Sequence, residues 1–165
     1  MTKLRRDGNR YYIIKKTPFS NIHIDKESVL NALDFSIKMS FGDGFHRRHR
    51  SGGSIIRNPV EIFSNTFQGK LSEYCVIDFF KNNGLKIDSS PDTSIYGKGV
   101  WDTTDLIYKT KKINIKSCVF FSNLVLLETK DWNDKGEYIP NLKNEFCTYD
   151  YFVLVRIKDD VKSFF

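Results

Sequence analysis

The sequence has few cysteines and no long apolar run. These two features bear on whether the chain can hold a structural zinc ion and whether it can cross a membrane. The three cysteines, Cys75, Cys118 and Cys147, lie far apart and form no C-x-x-C pair. A structural zinc site needs closer pairs, so we expect buried free thiols in a reducing compartment. No apolar stretch approaches the ~20 residues that cross a membrane, and no apolar segment follows the basic N-terminus. We therefore expect neither a membrane protein nor a secreted one.

Repeats, low-complexity tracts and linkers are also lacking, so residues 1–165 are predicted to form a single domain. Hydrophobic residues make up 40% of the chain and charged residues 28%, as in a globular protein with a real core. The formal net charge is +6 and the sequence pI about 9.2. A cationic excess of this size favours a polyanionic partner through release of counterions.

Two segments concentrate the basic charge. Residues 1–24 mix basic and aromatic side chains around a short predicted strand at Tyr11–Ile14, and they form either an arm that contacts phosphates or a frayed terminus. Residues 42–58 are rich in glycine and arginine, which predicts a DNA-contacting loop; the alternative is a plain solvated loop. The predicted DNA-binding residues are Arg47, Arg48, Arg50, Arg57 and Lys70.

Two helices are indicated by their caps and apolar spacing. The first begins after Asp25 and ends at Gly42, with a predicted apolar stripe of Val29, Leu30, Leu33, Ile37 and Phe41. The second begins with the capping box Asn58-Pro59-Val60-Glu61 and runs to about Asn83, where Gly84 ends it. Gly69 interrupts its pattern midway, which predicts the close approach of another backbone.

Three further strands are predicted after the second helix, besides those of the central hairpin. Leu85–Asp88 resembles a first strand, and Tyr151–Ile157 a buried one near the end of the chain. Asn123–Thr129 is nearly all apolar, as expected of a strand that is covered on both faces.

The central hairpin carries the residues with a chemical use. Leu106–Tyr108 and Ile113–Lys116 read as two strands joined by a lysine-rich turn, so Asp105 and Lys116 become neighbours at one end of a sheet. A carboxylate there can hold Mg²⁺ through oxygen, and a lysine beside it can offset developing negative charge. The alternative is a surface hairpin with ordinary solvated charges.

The order of these pieces resembles the PD-(D/E)xK nuclease superfamily, and within it the type II restriction endonucleases. The similarity covers roughly residues 52–157: a helix with Glu73, a strand, Asp105 at the start of a hairpin, Asn114-x-Lys116, then a buried strand. By position Asp105 resembles the first metal ligand, Lys116 the catalytic lysine and Glu73 the helix acid. Pro91-Asp92 spells the literal PD but lies farther from Asn114, and Asp102 is a further candidate.

Asn114 departs from the family pattern, which has an acid at that position. An amide oxygen can still coordinate a hard cation, but it brings no charge. Two anions would then face the metal instead of three, at a nominal cost of about 4 kcal/mol for a charge at ~4 Å before solvation reduces it. Either the natural site tolerates Asn114, or it replaces an acid in a protein that binds DNA without cutting it.

The resemblance implies an α/β (α+β) fold with a restriction-endonuclease-like mixed central sheet flanked by helices. It also implies a Mg²⁺-dependent, sequence-specific endonuclease of double-stranded DNA, acting as a homodimer in a prokaryotic cytoplasm. The expected catalytic residues are Glu73, Asp105, Asn114 and Lys116, of which the first three are the expected Mg²⁺ ligands. Products would carry 5′-phosphate and 3′-hydroxyl ends. Two alternatives stay open: a DNA-binding domain without catalysis, and an RNA-binding or structural domain.

Overall fold

Helices and strands both contribute to the architecture, which is a mixed α+β fold. A computed structural model describes residues 4–15, 18–19, 21–42, 56–87, 90–95, 104–122, 124–143 and 147–158. In chain order its elements are β1 (Leu4–Asp7), β2 (Arg10–Ile13), α1 (Lys26–Phe41), α2 (Pro59–Asn82), β3 (Leu106–Tyr108), β4 (Lys111–Val119) and β5 (Tyr151–Ile157).

Helix α1 begins and ends where its sequence predicts, but it buries a different face. Its buried residues are small, Ser28, Ala32 and Ser36. Val29 and Leu33 are packed against the core, whereas Leu30, Ile37 and Phe41 are about half exposed. The predicted apolar stripe is therefore wrong for these three residues, because α1 approaches its neighbour through small side chains.

Helix α2 has the predicted capping box. The Asn58 side chain accepts a hydrogen bond from the Glu61 N–H at 2.8 Å, and the Glu61 carboxylate accepts one from the Asn58 N–H at 3.0 Å. Gly84 follows the helix with φ +71°, a left-handed conformation that suits glycine. Nothing lies within 4 Å of the place where a side chain on Gly69 would stand, so the predicted close backbone approach is wrong.

The two helices pack against each other around Ala32, Phe63 and Phe67. The Phe63 and Phe67 rings are stacked with their centroids 6.0 Å apart. Asp78 of α2 reaches the first turn of α1, where its carboxylate accepts hydrogen bonds from the Asp25 N–H and the Ser28 hydroxyl, each at 3.1 Å. The Asp25 side chain itself makes no capping hydrogen bond. The second helix therefore caps the first.

A mixed three-stranded sheet has the order β3-β4-β5. The predicted hairpin is confirmed: β3 and β4 are antiparallel, with Leu106 opposite Ile113 and Tyr108 opposite Lys111. The tight turn uses Lys109 at φ +55°. The predicted strand at Tyr151–Ile157 is also found, and it runs parallel to β4 from Ile113 opposite Tyr151 to Val119 opposite Ile157. Its predicted burial is wrong, because Tyr151 and Phe152 are exposed and the other five residues are only half-buried.

The main core lies between this sheet and α2. Its buried residues are Val76, Ile77, Leu106, Ile113 and Ile115. Because side chains alternate along a strand, Ile113 and Ile115 point toward α2 while Asn114 and Lys116 point to the opposite face. Helix α1 packs mainly on α2, so the helices are layered on one side of the sheet in the described part of the chain.

Two predicted strands do not form. Residues 124–128 have no strand pairing, and Val125, Leu126 and Leu127 are 37%, 82% and 44% exposed. The expectation of a strand buried on both faces is thus wrong, since no partner strand in the described ranges covers this apolar run. Residues 85–87 are irregular, and position 88 lies outside the described residues.

The N-terminal segment forms a separate antiparallel ribbon, β1–β2, in which Leu4 pairs with Ile13 and Asp7 with Arg10. Its tight turn contains Gly8 at φ +58°. The three cysteines are free thiols, of which Cys75 is buried and Cys118 and Cys147 are partly exposed. Within the described ranges, no helix has the length and apolar character to cross a bilayer.

Candidate functional site

Asp105 lies where the hairpin pairing ends. The last antiparallel pair is Leu106 opposite Ile113. Asp105 immediately precedes that pair on one strand and Asn114 immediately follows it on the other. The Asp105 Oδ2 accepts a hydrogen bond from the Ile115 N–H at 2.5 Å. The carboxylate thus binds a main-chain donor beyond the last pair, and this fixes it at the end of the sheet beside Asn114.

Burial raises the pKa of the Asp105 carboxyl above its ordinary value of 3.8. The hydrogen bond from Ile115 and the positive charges of Lys116 and Lys70 lower the pKa and oppose that effect. Burial is the largest of these influences, so the hydrogen bond and the two lysines only partly offset the cost of desolvating the charged carboxylate. Both lysines are close enough to Asp105 for their charges to act on it.

Asn114 is buried in the middle strand, with 7% of its surface exposed. Its Oδ1 is buried and has no hydrogen-bond partner. A buried acceptor left without a donor costs about 1–3 kcal/mol, so this oxygen is a place where a ligand would be stabilising. It neighbours the Asp105 carboxylate across the hairpin, and both groups offer oxygen.

Lys116 stands two residues beyond Asn114, on the same face of β4 by strand alternation. It is partly buried and acts on the Asp105 carboxyl through space. Asp105 and Lys116 are therefore in the same neighbourhood, as the hairpin geometry predicted. Whether either residue takes part in catalysis stays a prediction.

Glu73 forms an ion pair within α2. Its Oε2 lies 2.6 Å from the Lys70 Nζ, and the two side chains are only 14% and 7% exposed. The Lys70 Nζ also donates to the Asp92 carbonyl oxygen at 2.7 Å and lies 4.7 Å from the centroid of the Phe35 ring. Glu73 is one turn before Val76 and Ile77, which contact the sheet. Lys70 thus links Glu73 to the end of the sheet that holds Asp105.

Pro91-Asp92, the dipeptide that spells PD in the sequence, contacts the Lys70–Glu73 ion pair through its main chain. Pro91 is buried, and the Asp92 carbonyl binds Lys70. The Asp92 carboxylate accepts a hydrogen bond from the Ser94 N–H at 2.8 Å, which shapes the local turn. Asp102, the other candidate acid, lies outside the described residues.

Of the predicted DNA-binding residues, the structure describes only Arg57 and Lys70; Arg47, Arg48 and Arg50 lie outside the described residues. Arg57 is partly buried just before α2, whose first residue, Pro59, lies about 21 Å along the helix from Glu73 at 1.5 Å per residue. Lys70 is buried and held by two oxygens, so it cannot reach a DNA backbone without leaving them. Its placement argues against the predicted DNA contact and puts it inside the acidic site.

The oxygen atoms that this site offers as ligands suit a hard cation such as Mg²⁺ only in part. The Asp105 carboxylate and the unpartnered Asn114 amide oxygen lie beside each other at the end of the hairpin, and oxygen ligands suit Mg²⁺. Glu73 lies on α2, where it is paired with Lys70. In the described ranges, no three His, Cys, Asp or Glu side chains are grouped so that they could hold a metal. Because the Glu73 carboxylate is paired with Lys70, Asp105 and Asn114 are the two residues here that offer oxygen to a cation without breaking an ion pair.

Searches against models of protein families, curated protein sequences and solved structures found no match in any of the three.

We did not predict from the sequence that Lys70 is buried and paired with Glu73. The residue stands three positions before Glu73, a spacing at which helix side chains meet. That spacing was a usable signal for an ion pair. The approach of Asp92 and the Phe35 ring depended on tertiary packing, which no local pattern encodes.

Proposed function

We propose that the protein is a Mg²⁺-dependent endonuclease of double-stranded DNA with a restriction-endonuclease-like arrangement of its hairpin, parallel strand and helix. The observation that carries the proposal is the end of the hairpin. There a partly buried carboxylate at Asp105 and an unpartnered amide oxygen at Asn114 flank the last strand pair. Lys116 stands on the same strand within electrostatic reach. A solvated surface hairpin would not bury an acceptor without a donor.

Each residue has a role that follows from its surroundings. Asp105 and Asn114 would hold Mg²⁺, and Glu73 would join them if its ion pair with Lys70 opened. When bound, Mg²⁺ would polarise the scissile phosphate and favour ionisation of an attacking water. Lys116 carries positive charge beside Asp105, where it can orient a water or offset charge on the phosphate.

Charge balance at the site predicts that metal and DNA bind together. Asp105 and Glu73 bring two negative charges, while Lys70 and Lys116 bring two positive charges. A divalent cation gains little net attraction from such a neutral set. A DNA phosphate supplies the missing anion, so we expect Mg²⁺ to bind more tightly in the presence of DNA. Cleavage of both strands of a two-fold site would require a homodimer.

The experiment is incubation of plasmid DNA with the protein and Mg²⁺, with EDTA as the blank. The variants Lys116→Ala and Asn114→Asp are compared with the unchanged chain. We expect cutting that requires Mg²⁺, a loss of roughly 100-fold or more for Lys116→Ala and equal or faster cutting by Asn114→Asp. Lys112→Ala is the matched control, since Lys112 lies on the same strand and face near the turn. Cutting that survives Lys116→Ala would refute the assignment.

A second candidate function is DNA binding without hydrolysis. It is favoured by one observation: the position that resembles an acidic ligand holds Asn114, while Glu73 is already neutralised by Lys70. In that case Asn114→Asp would bind duplex DNA but not cut it, over the same range of Mg²⁺ concentrations.

A further inference from the structure

The N-terminal ribbon β1–β2 is exposed along its whole length. All eight of its strand residues are exposed. Tyr11 and Ile14, at 61% and 65% exposed, leave considerable apolar surface in water. An isolated two-stranded ribbon is only marginally stable in water. Among the described residues, those of the ribbon belong to neither hydrophobic core cluster, so its exposed surface is available to a partner.

The ribbon is also strongly basic. The strands and the residues just after them carry one carboxylate, Asp7, and four basic side chains, Arg5, Arg6, Arg10 and Lys15. Directly opposed residues share a face, so the register places Arg5, Asp7, Arg10 and Tyr12 on one face and Leu4, Arg6, Tyr11 and Ile13 on the other. Both faces thus carry a guanidinium beside a tyrosine ring.

Local contacts preorganise two of these arginines. The Arg5 guanidinium lies 5.2 Å from the centroid of the Tyr12 ring, and that of Arg6 lies 5.9 Å from the centroid of Tyr11. Arg6 Nε also donates to the Gly8 carbonyl oxygen at 2.8 Å. Cation–π contacts of this kind hold the guanidinium without neutralising it, so the remaining donors can face phosphate or base edges.

We infer that this ribbon is a DNA-contact surface that enters the major groove of a duplex. A two-stranded ribbon fits that groove, which is about 12 Å wide. A four-residue strand is about 14 Å long at ~3.4 Å per residue, enough to place Arg5 and Arg10 against successive base or phosphate positions. The inference rests on the proposed duplex-DNA substrate and identifies a surface that contacts it. It is independent of the chemistry at Asp105.

The test is binding of a labelled 20-base-pair duplex, followed by fluorescence anisotropy in EDTA across a series of salt concentrations. Without Mg²⁺ there is no cleavage, so failure of the nuclease proposal leaves this result unaffected. For Arg5→Ala/Arg10→Ala we expect Kd to rise roughly tenfold or more. The magnitude of the slope of log K against log salt should fall by about one for each of the two arginines that neutralises a phosphate.

Lys81→Ala/Lys86→Ala is the matched control, because these exposed lysines remove the same charge away from the ribbon. Asp7→Asn should tighten binding, an effect that misfolding cannot produce. If the two double variants lose the same affinity for the duplex, the effect is one of net charge and the inference is overturned. Unchanged binding by Arg5→Ala/Arg10→Ala would also overturn it. If single-stranded RNA of the same length, or anionic vesicles, compete more strongly than duplex DNA, the ribbon binds that partner instead. That result would overturn the assignment of the ribbon to duplex DNA.

Discussion

Lys70 and Glu73 form a buried ion pair, with 2.6 Å between Nζ and Oε2, in the helix that covers the sheet. The ammonium is also within reach of the Asp105 carboxyl and lowers its pKa. Lys70 therefore acts as an internal counter-ion for both candidate acids. This relationship explains how the two carboxylates can be withdrawn from most of the solvent.

Removal of Lys70 should destabilise the fold. Lys70→Met leaves the Glu73 carboxylate buried beside an apolar side chain, and breaking a buried pair in this way costs about 3–5 kcal/mol. Lys70→Met/Glu73→Met removes both charges and should recover most of the loss. Urea denaturation of the three proteins measures the free energies of unfolding. A loss below about 1 kcal/mol in the single variant would show that the pair is not buried in solution.

Asp105→Asn should stabilise the protein, and increasingly so as pH rises. Because burial raises the pKa of Asp105 in the folded state, the protonated carboxyl favours folding. That stability is fully present below the ordinary value of 3.8 and is lost as pH rises through the raised pKa. Asparagine can keep the hydrogen bond from Ile115 and carries no charge to desolvate. The stability difference between variant and unchanged chain, followed by urea denaturation from pH 3 upward, should grow and then level off. A difference that stays constant with pH would contradict the raised pKa.

The cap of α1 offers a test of the helix packing. Asp78→Ala removes the acceptor for Asp25 N–H and Ser28 Oγ and should cost about 1–2 kcal/mol, in the range of a lost N-cap. Asp25→Ala is the control, since that side chain makes no capping hydrogen bond, and it should change stability by less than about 0.5 kcal/mol. Thermal unfolding compares the two. The reverse ranking would mean that α1 is capped by its own residue.

Signals that depend on neighbouring residues predicted structure well. The Asn58–Glu61 capping box, the Gly84 helix end and the Leu106–Lys116 hairpin all follow from contacts within a few positions, and all three are found. The hairpin register then places Asp105 beside Asn114, so this half of the candidate site was predictable from sequence.

Sequence patterns were poor predictors where the structure depends on contacts with residues distant in the chain. The apolar run at 124–128 needs partner strands to become a buried strand, and in the described ranges none pairs with it. The stripe on α1 failed because Ala32 and Ser36 allow a close helix contact that larger residues would prevent. The burial of Lys70 depends on Phe35 and Asp92, which are distant in sequence.

The most direct measurement is a crystal structure of the protein soaked with Mn²⁺ in the presence of a short DNA duplex, with the metal located by anomalous scattering. We predict one strong peak between the Asp105 carboxylate and the Asn114 Oδ1, within direct coordination distance of both oxygens, and no peak there in Asp105→Asn. A hairpin end without metal in the unchanged chain, or a metal bound away from both oxygens, would contradict it.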